Sequence, residues 1–131
     1  MSSLLKITGS DGSQKRNAND FYPTPDSATQ ALLNREYFSV DVWEPACGDG
    51  AISKLLERRN HAVISTDLID YGYGSSGRDF LFEQELLAPS IITNPPFSLA
   101  HEFAQKALDL GATKLALLVR LQFLEGIKRG E

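Results

Sequence analysis

The sequence has few of the residues that form disulfides or bind metal ions. Its 131 residues include one cysteine, Cys47, and two histidines. A single cysteine excludes an internal disulfide, and so small a supply of thiol and imidazole ligands argues against a structural zinc site. We therefore expect a protein of a reducing compartment that binds no metal ion.

Positive charge and long apolar runs are also scarce. Lysine and arginine total 13 against 17 aspartates and glutamates, which gives a net charge of −4 and a sequence pI near 5.2. Without a general positive field, contact with a nucleic acid would need a local basic patch or a partner. No apolar run approaches the roughly 20 residues of a membrane-spanning helix, and the N-terminus lacks the pattern of a signal peptide. The sequence thus predicts a cytoplasmic protein without a membrane association.

The length of 131 residues and the hydrophobic content of 42% suffice for one folded domain. Residues 1–20 are dominated by Gly, Ser, Asn and Asp and predict a flexible leader. Thr24 and Pro25 then predict the cap and first turn of a helix. Strand-like apolar runs alternate with helical patterns, and these runs lie at residues 40–46, 61–67, 90–94 and 114–123. This alternation indicates an α/β domain over residues 21–131, with a mostly parallel sheet of about five strands and helices on both faces.

The first predicted strand ends in a glycine turn suited to a small molecule. The turn, EPACGDG, runs from Glu44 to Gly50, and Gly48 and Gly50 allow the backbone to turn tightly into a helix while lying close to a ligand. Ser53 stands where a dinucleotide-binding motif would have its third glycine. Because Glu44 would repel a pyrophosphate but suits a cationic amino group, the turn favours another kind of cofactor.

A second acid, Asp67, ends the next predicted strand, 17 residues after Gly50. A carboxylate at this place can accept hydrogen bonds from both hydroxyls of a ribose. An adenosine with a positively charged tail satisfies both Asp67 and Glu44. S-adenosylmethionine is such a molecule, and we expect it as the cofactor.

Several of these residues also have plainer explanations. Asp67 alone could be a solvated acid at a strand end, Asp49 is more simply an acid at a helix start, and Cys47 is a small residue that fills a tight turn. Asp79 and Phe80 could be a turn acid and a core aromatic, or they could accept from the adenine amino group and pack on its ring. The sequence leaves both interpretations of Asp79 and Phe80 open.

The most informative motif follows the strand at residues 90–94 and reads Asn94-Pro95-Pro96-Phe97. An amino group conjugated to a ring is a poor nucleophile because its lone pair is delocalised. The Asn94 side-chain oxygen and the Pro95 carbonyl could accept its two N–H bonds, and the prolines would hold both oxygens in place. Phe97 offers a face for a flat ring, worth about 1–3 kcal/mol per stacked base. The motif therefore predicts a site that activates an amine.

Taken together, these motifs resemble those of amino-group DNA methyltransferases, particularly the N6-adenine enzymes. The resemblance rests on EPACGDG and NPPF, with FYPTP before them and RDFL between them, and it covers residues 21–123. The motif order is similar to the gamma arrangement or to small phage-type adenine methyltransferases. The family implies a Rossmann-like fold, S-adenosylmethionine as cofactor, DNA as partner and direct methyl transfer without a metal ion.

The resemblance also implies roles for individual residues. The residues that it implies at the cofactor are Tyr22, Thr24, Pro25, Glu44, Pro45, Ala46, Gly48, Gly50, Asp67, Asp79, Phe80 and Asn94. The residues that it implies around the target amine are Asn94, Pro95, Pro96 and Phe97.

Two departures from the family pattern carry expectations of their own. Residues 67–79 leave room for a loop but not for the usual crossover helix, so the third strand should be vestigial. The family has two further strands and DNA-recognition segments after the strand at 114–123, so the domain should be incomplete at its C-terminus. The edge at 114–120 would then invite a homodimer or a partner chain.

Other functions stay open at this point. RNA methyltransferases and release-factor glutamine methyltransferases share the motif, since an amide nitrogen poses the same lone-pair problem. A subunit or remnant that binds the cofactor without catalysis would suit the acidic charge balance.

Overall fold

The computed structural model describes residues 23–119. The leader, Tyr22 and the end of the last predicted strand lie outside this range. The described elements are helices α1 (Asp26–Arg35), α2 (Ala51–Arg58) and α3 (Ala100–Leu110), strands β1 (Asp41–Glu44), β2 (Ala62–Ser65), β3 (Ser90–Thr93) and β4 (Lys114–Leu117), and two 3-10 turns, Phe80–Phe82 and Phe97–Leu99.

The four strands form one parallel sheet in the order β2-β1-β3-β4. Trp43 at the centre of β1 lies in register with Ile64 of β2 and Ile91 of β3. The predicted parallel α/β sheet is confirmed, although residues 23–119 contain four strands and not about five. β4 lies at one edge of this sheet, and pairing of a second chain there stays a prediction.

No strand or crossover helix forms between β2 and β3 in the place of the expected third strand; only an isolated parallel bridge joins Thr66 to Ser75. The vestigial third strand is thus confirmed. Because β2 and β3 lie on opposite sides of β1, the segment between them must pass over β1, and its Phe80 packs on Trp43 of that strand. This crossing brings the acids at residues 67 and 79 toward one end of the sheet.

Alternating side chains of β1 and β3 build an apolar core on each face of the sheet. Trp43 and Ile91 face the side covered by α3, where they belong to one core cluster, Trp43, Phe80, Ala88, Ile91, Phe103 and Ala107. Val42 and Ile92 face the other side and belong to a second cluster, Phe38, Val42, Ile52, Leu56 and Ile92. Helices therefore cover both faces, as the uninterrupted apolar strands predict.

Local signals place the C-terminal ends of α2 and α3, but there is an exception at the start of α1. Gly111 ends α3 in the left-handed conformation, at φ 92°, and Asn60 takes φ 73° just after α2. The exception is Thr24, which was expected to cap α1. Instead, Pro25 occupies the cap position and no side-chain hydrogen bond caps the helix. Within residues 23–119 no helix is both long enough and apolar enough to span a membrane.

Candidate cofactor and amine site

The expected site lies where the sheet changes its direction of winding. The chain passes from β1 to β2 on one side, and β3 then pairs with β1 on the other side. In open α/β sheets, ligands bind at such a switch point, beyond the carboxyl ends of the strands. Glu44 ends β1 and Asn94 follows β3, so the two principal sequence motifs meet at this point.

Glu44 is a fully buried acid at the end of β1, with 1% of its surface exposed. Its Oε2 accepts a short hydrogen bond from the Thr93 hydroxyl, at 2.5 Å, and another from the Ala46 N–H at 3.0 Å. Its Oε1 has no hydrogen-bond partner among residues 23–119. Burial raises the pKa of Glu44 to about 8 despite these two hydrogen bonds, and the nearby Asp67 raises it further. A buried acid whose Oε1 has no partner among the described residues suits a cationic ligand group, whose charge would favour the ionised carboxylate.

Asp67, just after β2, ties the glycine turn to the neighbouring strand. Its Oδ2 accepts from the Gly48 N–H at 2.8 Å, and its Oδ1 accepts from the Ile69 N–H at 3.0 Å. Burial raises the pKa of Asp67, and the backbone hydrogen bonds oppose that rise. The carboxylate is therefore held in a fixed orientation at the pocket, where its remaining lone pairs could accept from hydroxyl groups.

A small cavity of about 30 Å³ lies at this end of the sheet. Its lining residues are Pro45, Ala46, Asp67, Leu68, Asp79, Phe80, Pro96, Leu99 and Phe103. Six of these nine were named from the sequence. Leu68, Leu99 and Phe103 were missed as site residues, because their apolar side chains give no signal that separates a pocket wall from a core.

The cavity volume compares with the space of about one water molecule, whereas sites for drug-sized ligands span roughly 300–1,000 Å³. A nucleoside held within this cavity alone would therefore need the walls to separate. The 3-10 turn Phe97–Leu99 and the loop at residues 68–79 contribute parts of those walls without long regular structure.

Asp79 and Phe80 are both structural residues and pocket residues. Asp79 caps the first 3-10 turn, where its Oδ1 accepts from the Leu81 N–H at 3.0 Å. Phe80 is 2% exposed and meets Trp43 edge to face, with ring centroids 5.2 Å apart. The plainer interpretation of both residues is thus confirmed. Because both also line the cavity, their predicted contact with adenine remains a prediction.

Gly50 is required by a neighbouring aromatic ring. It lies at φ 91°, and a Cβ at this position would come within 2.8 Å of the Tyr73 ring. The side of Gly50 that lacks a side chain therefore faces Tyr73, and an approach of the cofactor to this glycine remains a prediction. The sequence did not single out Tyr73, since nothing in a glycine-rich loop shows which aromatic folds back.

The other polar residues of the turn have the plainer roles. Asp49 is exposed and accepts from the Ala51 N–H at 3.2 Å, as an acid at a helix start does. The Cys47 thiol is buried and donates to the Tyr73 carbonyl at 3.5 Å. Burial raises the pKa of Cys47 to about 12, so the thiol stays protonated and is a poor nucleophile.

Asn94 is half-buried and joined to the segment that precedes α1. Its Nδ2 donates to Thr24 Oγ1 at 3.0 Å. Asn94 is not among the residues that line the cavity, but Pro96, two residues later, is. Pro95 is buried, and Phe97 is half-buried at the start of the second 3-10 turn. The structure thus brings Thr24 and the four-residue motif together beside the cavity.

No known family model and no curated protein matches the chain. Among solved structures, the chain is similar to a TehB-like SAM-dependent methyltransferase from Corynebacterium glutamicum, with 21% sequence identity and a TM-score of 0.50. The match covers 92% of this chain and 79% of that chain. This similarity establishes the fold, a Rossmann-like α/β methyltransferase fold.

The side chains at the switch point are chemically suited to functional groups of S-adenosylmethionine. S-adenosylmethionine carries a ribose diol, and its amino-acid end carries an ammonium group beside a carboxylate. The ribose diol suits the Asp67 carboxylate. The ammonium group suits the buried Glu44, whose Oε1 lacks a partner among the described residues. Among residues 23–119 no group of three or more His, Cys, Asp or Glu side chains is placed to hold a metal ion.

Proposed function

We propose that the protein transfers a methyl group from S-adenosylmethionine to the exocyclic N6 amine of adenine in DNA. The observation that carries this proposal is the position of Asn94-Pro95-Pro96-Phe97 directly after β3, at the switch point and beside the cavity lined by Asp67 and Asp79. In a fold that hosts many chemistries, function has to be argued from such a site.

S-adenosylmethionine would supply a methyl group on a sulfonium: the N–C bond would form as the S–C bond breaks, the neutral thioether would leave, and the methylated amine would release a proton to solvent. The chain supplies two acceptors for the target amine, the Asn94 side-chain oxygen and the Pro95 carbonyl. Hydrogen bonds to both N–H groups draw the nitrogen toward tetrahedral geometry and stabilise the positive charge that develops there. Pro95 and Pro96 restrict the backbone so that these oxygens need not reorganise during the reaction.

The choice of a base as substrate is supported by Phe97. Its half-buried ring directly follows the amine-binding residues, where a flat ring could stack on it. Base stacking of about 1–3 kcal/mol is comparable to the few kcal/mol needed to extract a base from a duplex. An adenine or guanine in RNA, or a protein glutamine, would present the same kind of nitrogen and is an alternative substrate for the same site.

The proposal is tested with the wild-type chain and Asn94→Ala. Calorimetry measures S-adenosylmethionine binding, and tritiated-methyl transfer is followed on unmethylated DNA, RNA and a glutamine peptide. We expect Asn94→Ala to retain cofactor affinity and to lose transfer at least about 100-fold, because Asn94 acts on the amine. Equal loss of binding and transfer would contradict the role of Asn94. Transfer to RNA or peptide alone would correct the substrate.

A second candidate is a subunit that binds the cofactor without catalysis. The net charge of −4 favours it, because an enzyme that holds DNA by itself usually needs a basic surface. Cofactor binding without transfer to any of the three substrates would support this candidate. Absence of cofactor binding would reject both functions.

A further inference from the structure

The Thr24 hydroxyl does not cap the helix that it precedes. α1 begins at Asp26 after Pro25, without a side-chain cap hydrogen bond. A threonine near a helix start commonly uses its hydroxyl to accept from the unpaired N–H groups of the first turn. Thr24 Oγ1 instead accepts from Asn94 Nδ2, a residue 70 positions away in the sequence.

This hydrogen bond determines the orientation of the Asn94 carboxamide, and so the directions in which its oxygen and its nitrogen point. A carboxamide carries an acceptor oxygen on one side and a donor nitrogen on the other. Activation of an amine needs the oxygen, since an N–H group directed at an amine N–H would repel it. Because Nδ2 donates to Thr24, Oδ1 lies on the opposite side of the carboxamide.

We propose that Thr24 is a positioning residue that sets the rotation of the Asn94 carboxamide, so that Oδ1 and not Nδ2 is presented to the target amine. The inference rests on the proposed function of Asn94. It differs from the cofactor contact that the sequence resemblance implies for Thr24.

Pro25 makes Thr24 suitable for this task. A proline disfavours the helical conformation of the residue before it, and its own ring fixes φ, which is −66° here. The proline therefore favours extended backbone at Thr24, just before α1. The Thr24 hydroxyl thus joins the start of α1 to Asn94, the residue that follows β3.

The first test separates positioning from cofactor binding by kinetics. Thr24→Val removes the acceptor at nearly constant volume, Thr24→Ser keeps it, and Ser27→Ala is a control on the exposed surface of the same helix. We expect Thr24→Val to lower kcat about 10- to 100-fold, the loss that a misplaced catalytic group produces. The KM for DNA and the Kd for S-adenosylmethionine should stay within about threefold, and Thr24→Ser and Ser27→Ala should behave like the wild type. Unchanged kcat in Thr24→Val, or a lowered affinity for S-adenosylmethionine with kcat retained, would overturn the proposal.

The second test does not depend on catalysis. The Asn94 side-chain NH₂ signals in a ¹H–¹⁵N correlation spectrum are assigned by their absence in Asn94→Ala. We expect them to shift in Thr24→Val and to keep their positions in Thr24→Ser and Ser27→Ala. Unshifted signals in Thr24→Val would overturn the contact itself. Should the wild type bind cofactor but transfer no methyl group, the proposed function fails, and this spectrum alone upholds or overturns the Thr24 to Asn94 interaction.

Discussion

Glu44→Gln should change how the stability of the protein depends on pH. Glu44 is 1% exposed, and burial raises its pKa from 4.5 to about 8. Between these two values the folded state holds a proton that the unfolded state releases. The free energy of unfolding must therefore fall as pH rises through this range.

The expected magnitude follows from the size of the shift. A difference of about 3.5 pKa units corresponds to about 5 kcal/mol, of which about 3 kcal/mol is lost by pH 7 and most of the rest by pH 9. Glutamine keeps one oxygen to accept from Thr93 and Ala46, but it has no proton to lose. Its amide nitrogen takes the place of Oε1, which has no partner among residues 23–119, and this costs about 1–3 kcal/mol relative to protonated Glu44.

The assay is urea unfolding of the wild type and Glu44→Gln at intervals from pH 5 to pH 9. Glu102→Gln, the same change on the exposed surface of α3, is the matched control. We expect the wild type and the control to lose stability steeply toward pH 8, and Glu44→Gln to follow a flatter curve. Parallel curves for the wild type and Glu44→Gln would refute the raised pKa.

Two further substitutions test the glycine turn and its neighbour. Asp67→Ala should weaken S-adenosylmethionine binding at least about tenfold, or 1.4 kcal/mol, because a charge-assisted hydrogen bond is lost; unchanged affinity in calorimetry would remove Asp67 from the site. Gly50→Ala should lower the free energy of unfolding by more than Gly77→Ala. Both glycines have positive φ, which costs a residue with a Cβ about 1–2 kcal/mol, but only Gly50 also meets a ring, that of Tyr73. Tyr73→Ala in the Gly50→Ala background should recover part of that difference, and equal losses at the two glycines would exclude the ring contact.

Features that depend on local pattern could be predicted from the sequence. The four strands are short, β-branched or apolar runs that are bounded by turns, and the burial of β1 and β3 on both faces agrees with their parallel pairing. Asp67 and Asn94 could be placed at the same end of the sheet because each lies at or just after the carboxyl end of such a strand. The glycine turn was equally evident, although the ring that requires Gly50 was not.

Features that depend on contacts between distant side chains could not be predicted. A threonine before a proline indicates a helix cap, and only the packing of α1 near the end of β3 shows that the Thr24 hydroxyl reaches Asn94 instead. Tyr73 reaches Gly50 through a loop without periodic pattern. Leu99, in the second 3-10 turn, and Phe103, in α3, line the cavity with apolar side chains that could equally have belonged to the core. Neither the path of a loop nor the choice between pocket wall and core is encoded in local spacing.

The small volume of the cavity bears on the rate at which a ligand can associate. A nucleoside that enters through this cavity, which has room for about one water molecule, needs the cavity to open first, and association that requires such a change is slower than the usual 10⁵–10⁷ M⁻¹s⁻¹. Trp43 packs on Phe80 of the cavity wall, so its fluorescence can follow binding in a stopped-flow experiment. If opening precedes binding, the observed rate should level off as the ligand concentration increases. The plateau would then report how often the protein opens by itself.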